Sequence, residues 1–200
     1  MQTVFTRRHA MALGLTGVFA ATVPASANVL SYQLRPEDAE IAFTFSAGGV
    51  SLRGTAPLQS ADIVVDTARL DRSSADVIAN VAQARTGIGP ATTAMRSTEV
   101  LDTARFPSAR FRSTGVELGR DGRISSGAVI LGDLTLRGVT RPVRLAATLS
   151  RPAGTAPDDL RILSVRLTGA LDRTGFGATG YANLVDATVQ LDIRATLSAV

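Results

Sequence analysis

The stretch from Gly127 to Leu145 does most to limit what this 200-residue chain can fold into, because it holds two runs of strict alternation joined at a fixed break. Ile130, Leu134 and Leu136 fall on one face, with Leu131, Asp133, Thr135 and Arg137 on the other, which is the period of a half-buried strand. Gly138 interrupts the pattern, and Val143, Leu145, Ala147 and Leu149 then restart it. Pro142 has no N–H to give a ladder, so the second run is expected to place it at an edge or a bulge.

The same period recurs along the chain. Ile41, Phe43 and Phe45 alternate with Glu40, Ala42, Thr44 and Ser46; Gly48-Gly49 then turns the chain into a strand begun by Val50 and Leu52, and a third ends at Val65-Asp66. Leu163, Val165, Leu167 and Leu171 alternate with polar neighbours. The run Val189, Leu191, Ile193, Ala195 and Leu197 is the cleanest of all. Between these strands, Val77, Ile78 and Val81 fit one helical face, and Ser73 or Ser74 is placed to cap it, so the spacing predicts a helix from Ser74. A turn at 87–90 leads into a shorter helical piece over 91–97, and Asp121-Gly122 reads as a hairpin turn. One apolar face per strand and many strands in series predict a mainly β fold: a single antiparallel sheet of eight strands rolled into a barrel, with a short helical segment.

Residues 1–27 read as an export signal: Arg7-Arg8, a thirteen-residue apolar run from Met11 to Val23, and a small-residue cleavage site at Ala25-Ser26-Ala27. Thr6-Arg7-Arg8 fits twin-arginine export, and general secretion fits as well. The apolar run is shorter than the roughly 18 residues that a spanning helix requires, so the expected product is a periplasmic domain of residues 28–200 and not an integral membrane protein.

Composition prunes the chemistry open to residues 28–200. They contain no Cys, Lys, Trp or His, since the one histidine is His9. Histidine- and cysteine-based nucleophiles, lysine Schiff bases and the usual zinc and iron sites therefore fall away; no metal site and no cofactor is expected. All 21 basic residues are arginines against 17 acids, and removing Arg7 and Arg8 leaves 19 − 17 = +2. The alkaline isoelectric point reflects the lack of groups titrating at intermediate pH, and the scarcity of aromatics argues against nucleic-acid binding. Carboxylate hydrolysis survives as a possibility, with Glu40 and Asp172 as its best candidates.

Gly132 to Leu145 matches, position for position, the G-x-L-T-L-x-G-V-T-x-P-V-x-L run of the YceI-like polyisoprenoid-binding family, and the chain resembles that family elsewhere too. Tyr32 to Ser46 echoes its entry strand, Phe106 to Ser113 its P-x-A-x-F-x-S segment, and Arg173 to Gly177 its R-x-x-F-G. The resemblance implies an extended lipocalin-like barrel that holds a polyisoprenoid lipid, such as an isoprenoid quinone or a prenyl phosphate, without reacting with it. It also implies, for a quinone cargo, an inner-membrane protein that uses it. On this reading Ile41, Phe43, Phe45, Phe111, Ile130, Leu134, Val143 and Leu145 line the tunnel, Phe176 stands near one end, and Arg173 meets an anionic head. The same apolar positions would equally serve a packed core in a pocketless structural or partner-binding barrel.

Overall fold

The computed structural model describes residues 29–66, 69–119, 126–156 and 159–200. The export signal expected at 1–27 and the Asp121-Gly122 turn lie outside the described residues. Eleven strand segments follow in order: β1 (Val29–Gln33), β2 (Ala39–Ala47), β3 (Val50–Ala56), β4 (Leu58–Asp66), β5 (Ser74–Asn80), β6 (Arg85–Thr86), β7 (Ser108–Leu118), β8 (Ala128–Leu136), β9 (Val139–Ser150), β10 (Ile162–Asp172) and β11 (Thr188–Ala199). Helix α1 (Gly89–Arg96) lies between β6 and β7.

These segments make eight staves, because three staves are broken in two. A 3-10 turn at Pro36–Asp38 separates β1 from β2, Pro57 alone separates β3 from β4, and a 3-10 turn at Val81–Gln83 lies between β5 and β6. Every neighbouring pair is antiparallel, and β11 closes the ring by pairing with β2 (Leu191↔Phe43) and with β1 (Tyr32↔Ala199). The result is a closed, up-and-down, eight-stave barrel. Two-residue turns with left-handed backbone join β2 to β3 (Gly48 φ 58°, Gly49 φ 79°) and β8 to β9 (Arg137 φ 51°, Gly138 φ 73°). Both positive φ values match the twist of the flanking strands, which is why glycine stands in each turn.

The helix expected from Ser74 is instead strand β5. Val77 and Ala79 face the lumen and Val81 continues the row, while Asp76 faces outward toward Arg110 and Arg112 of β7. Val77 and Val81 fit either period and Ile78 only the helical one, but β-branched side chains and ladder partners on both sides, β4 and β7, favour the strand. Nor does Ser73 cap a helix: its hydroxyl accepts from the Asp66 N–H at 3.2 Å. Among the described residues α1 is the one α-helix, and it covers most of the 91–97 segment expected to be helical.

Pro142 pairs with Asp133 of β8, whereas the ladder from β9 to β10 ends at Ala146↔Thr168. At Pro142 the strand thus has a ladder on one side only, a local edge inside a closed barrel.

The two ends of the lumen differ. At the end formed by β1 and the C-terminal part of β11, Tyr32, Leu163 and Leu197 are packed with Leu30, Ile63, Leu149 and Val165. The Tyr32 hydroxyl donates to the Leu160 carbonyl at 2.8 Å, and burial pushes its pKa above the ordinary tyrosine value. The opposite end, bordered by the β2–β3 turn, α1, the β8–β9 turn and the segment between β10 and β11, holds the cavity.

Candidate functional site

The cavity occupies about 470 Å³, within the roughly 300–1,000 Å³ typical of small-molecule sites. Its wall takes the inward alternate residues of β2, β3, β5, β7, β8, β10 and β11, together with Pro90, Ala91, Ala94 and Met95 of α1. Apart from Arg173 and Tyr181, every side chain on that wall is apolar. Met95 anchors the helix by packing against Ala56 and Ala84, while the Arg96 Nε and Nη2 both donate to the Ala84 carbonyl, at 2.9 and 2.6 Å. Leu184 and Tyr181 line the wall while remaining 54% and 45% exposed, which marks them as its rim.

Three glycines shape this interior. A Cβ at Gly54 would fall within the Phe43 ring, and one at Gly132 within the Phe111 ring, so the two phenyl groups lie back against the wall. Gly169 receives the Leu145 side chain in the same way, with Cδ2 at 2.8 Å from where its Cβ would stand. Phe43 and Phe45 are stacked, their ring centroids 6.3 Å apart.

Of the residues expected at the site, Ile41, Phe43, Phe45, Phe111, Leu134 and Arg173 line the cavity. Ile130, Val143 and Leu145 do not. They share the lumen face with Leu134, since Ile130 pairs with Leu145 and Gly132 with Val143, yet they stand further from the mouth, between the cavity and the packed end. Leu145 is only 4% exposed, as befits a core residue. Phe176 is also buried, in the 3-10 turn Arg173–Phe176, but off the wall. The sequence reading did not single out Val189, Leu191 and Ile193 of β11 as site residues, although their clean alternation carried the signal. Val77 and Ala79 were hidden by the helical reading of β5.

Arg173 is 5% exposed and sits in a cage of backbone oxygens. Its Nε donates to the Asp186 carbonyl at 3.0 Å, Nη1 to Ala178 and Gly180 at 2.5 and 2.9 Å, and Nη2 to Val185 at 2.8 Å. Four of its five N–H groups therefore hold the segment between β10 and β11 in place, leaving one. Arg137, at the tip of the β8–β9 turn, ties that segment to the one after α1: Nη1 donates to Gly177 O at 2.6 Å and Nη2 to Thr98 O at 2.8 Å. The mouth is thus fixed by two guanidinium groups acting on main-chain oxygens.

Among the described residues no carboxylate lines the cavity. Asp172 accepts from the Thr174 N–H and hydroxyl at 2.8 and 2.6 Å, and the hydroxyl contact is the main reason its pKa lies below the usual range. Glu40 accepts from Arg53 Nη2 at 2.6 Å. The two acids that the sequence offered as candidates for hydrolysis are thus hydrogen-bonded to other groups, outside the cavity.

A wall so apolar, in a closed barrel with one packed end, fits an apolar guest. The profile of the YceI-like domain matches residues 32–197. The chain belongs to the YceI-like domain family. It is 28% identical over 144 residues to a UPF0312 protein of Vibrio vulnificus, covering 70% of this chain and 73% of that one. Protein YceI of Escherichia coli O157:H7 is 37% identical over 99 residues, which span 50% of this chain and 43% of that protein. Among solved structures, Burkholderia cenocepacia BcnA superposes with a TM-score of 0.70 at 16% identity, over 83% of this chain and 99% of that one. A polyisoprenoid binding domain from Saccharophagus degradans gives 0.58 at 17% identity, over 86% and 99%. These two likenesses bear on the fold. The YceI-like barrel expected from the Gly132–Leu145 motif is the one found.

Proposed function

We propose that this YceI-like protein is an exported, periplasmic and non-catalytic carrier of a polyisoprenoid lipid, either an isoprenoid quinone or a prenyl phosphate, held by its tail in the barrel. The supporting observation is the cavity: about 470 Å³ of apolar-walled space, opposite the end packed around Tyr32, Leu163 and Leu197. Each methylene taken out of water there contributes about 0.8 kcal/mol, so an unfunctionalised branched chain needs little beyond a dry wall of suitable length. A pocketless structural barrel requires that same volume to be filled, and the cavity counts against it. The Saccharophagus neighbour, described as a polyisoprenoid binding domain, agrees with this reading.

The test is the composition of the purified, processed protein. Native mass spectrometry and solvent extraction are expected to find one isoprenoid per chain, or to find one after incubation with long-chain quinones or prenyl phosphates. Bare polypeptide after both treatments overturns the proposal.

A further inference from the structure

Among the described residues the large apolar side chains left exposed gather at the two ends of the barrel. At the packed end, Val29, Ile162 and Val200 have charges beside them: Asp66 pairs with Val29, and Arg161 precedes Ile162. At the mouth, Val50 and Ile88 are 61% and 46% exposed and join Leu184 and Tyr181. Val50 continues the lumen-facing row of Gly54 and Leu52 beyond the cavity, and Ile88 immediately precedes α1, whose Pro90 and Ala91 line it. The rim and the cavity wall are therefore one continuous apolar surface.

Charge is missing from that rim. The chain is 19% charged, yet the three segments that carry these residues, 46–52, 86–95 and 174–185, hold no Asp, Glu, Lys or Arg. Neighbouring charges meet the last of them before Tyr181: Arg141 and Arg137 donate to the carbonyls of Gly175 and Gly177, and Glu99 lies against Gly180. The rim is also held in shape. Gly48 N–H donates to Leu184 O at 2.8 Å and Asp186 N–H to Ser46 O at 3.0 Å, which fastens the β2–β3 turn to the segment between β10 and β11. Tyr181 has a φ of 58°, a left-handed conformation unusual for a bulky residue, and its carbonyl accepts from the N–H groups of Leu184 and Val185 at 2.9 and 2.8 Å. Strain of this kind, spent on an exposed tyrosine beside an opening, fits a surface that meets something.

We infer that this rim docks on a lipid bilayer, and that the guest passes between bilayer and barrel there without crossing water. The apolar residues come from three separate pieces of chain around one opening. A protein seated on all three would plug that opening, whereas a bilayer touches the whole ring and supplies the guest through it. A neutral rim loses little on desolvation, and the tyrosine ring with its hydroxyl suits the level of lipid headgroups. The inference rests on the carrier reading and adds to it the surface from which the cargo is taken.

Uptake from vesicles and binding from solution separate docking from holding. The full processed protein is expected to take a long-chain isoprenoid quinone from vesicles of phosphatidylethanolamine and phosphatidylglycerol, at a rate that changes little between low and high salt because the rim is neutral. The double substitution Val50→Glu and Ile88→Glu is expected to slow that uptake about tenfold, a ratio equivalent to about 1.4 kcal/mol and less than full burial of the two side chains supplies. Val50→Ser with Ile88→Ser, which adds no charge, is expected to slow it severalfold. Neither residue lines the cavity, so farnesol binding from solution is expected to match the parent's in both variants. Uptake as fast in the acidic variant as in the parent, or parental uptake that falls steeply with salt, overturns the docking surface while the carrier reading stands. So does a parent that binds farnesol yet takes nothing from protein-free vesicles, an outcome that assigns delivery to a partner protein. Farnesol affinity lost along with uptake also overturns it, since both residues would then belong to the pocket. If the parent binds neither probe, the carrier reading falls and this inference with it.

Discussion

The Phe43 ring rests over Gly54, the residue paired with it across the β2–β3 ladder. Phe111 does the same over Gly132, two residues along β8 from its ladder partner Leu134. An aromatic laid over a strand glycine covers bare backbone and leaves the centre of the barrel open, so these pairs set the width of the lumen.

Gly54→Ala is therefore expected to destabilise the barrel by about 1–3 kcal/mol, the usual range for overpacking. The new methyl meets the Phe43 ring and, at 2.9 Å, the Arg85 carbonyl, so ring displacement alone does not make room. A urea titration reads the loss. Adding Phe43→Leu is expected to restore part of it, since residues in contact do not add independently; strict additivity would contradict the contact.

Arg173→Met is expected to cost about 3–5 kcal/mol, because four carbonyls lose a buried cationic donor at once. Arg173→Lys is expected to recover little, since one ammonium cannot reach oxygens that the planar fork spans. Thermal unfolding and protease sensitivity of the 178–187 segment check this. A lysine variant of wild-type stability would show that charge, not shape, is what this position supplies.

These effects show how far the sequence carried. Alternation placed β2, β8, β9, β10 and β11 correctly because each has a polar outer face and an apolar inner one, and the Gly132–Leu145 motif identified the family. β5 differs from the helix that its spacing predicts because Ile78 is apolar on the outer side, which masks period two in a strand of seven residues. Depth was not legible either. Leu134 and Leu145 share a face and a motif, yet one lines the cavity and the other seats against Gly169; which of them does so depends on how far each lies from the mouth, a property of register around the ring. The carbonyl cage around Arg173 was not legible either, because backbone oxygens of residues 178–186 leave no pattern in side chains.

Asp76 faces Asp62 directly across β4–β5, a repulsive pairing offset by Arg110 and Arg112 on the other side. The Arg110 hydrogen bonds are the chief cause holding the Asp76 pKa at about 2, against burial and with help from Arg112. The folded value lies below the unfolded one of about 3.9, so the contribution is complete above pH 4 and disappears as pH falls through about 2. Asp76→Asn is expected to lower stability at neutral pH by roughly 1 kcal/mol or less, given solvent screening, and to leave it unchanged near pH 2. Denaturant midpoints across that window decide the matter; a difference that persists undiminished at low pH would assign the effect to packing.

Ala79 and Ala109 are ladder partners on β5 and β7, and both line the cavity. They form a patch of small side chains where an indole would project into the lumen. Since the chain has no tryptophan, Ala109→Trp both obstructs the cavity and installs a lone fluorophore there. Overpacking into existing empty space strains the wall less than overpacking a filled core, so the variant is expected to lose no more than about 2 kcal/mol and to keep its fold. Its emission is expected to be that of a buried indole, and its isoprenoid content to fall well below one per chain. Ala146→Trp, on the exposed face of β9, serves as the control and is expected to bind as the parent does. If Ala109→Trp loads as fully as the parent, the guest lies elsewhere and the apolar cavity loses its assigned role.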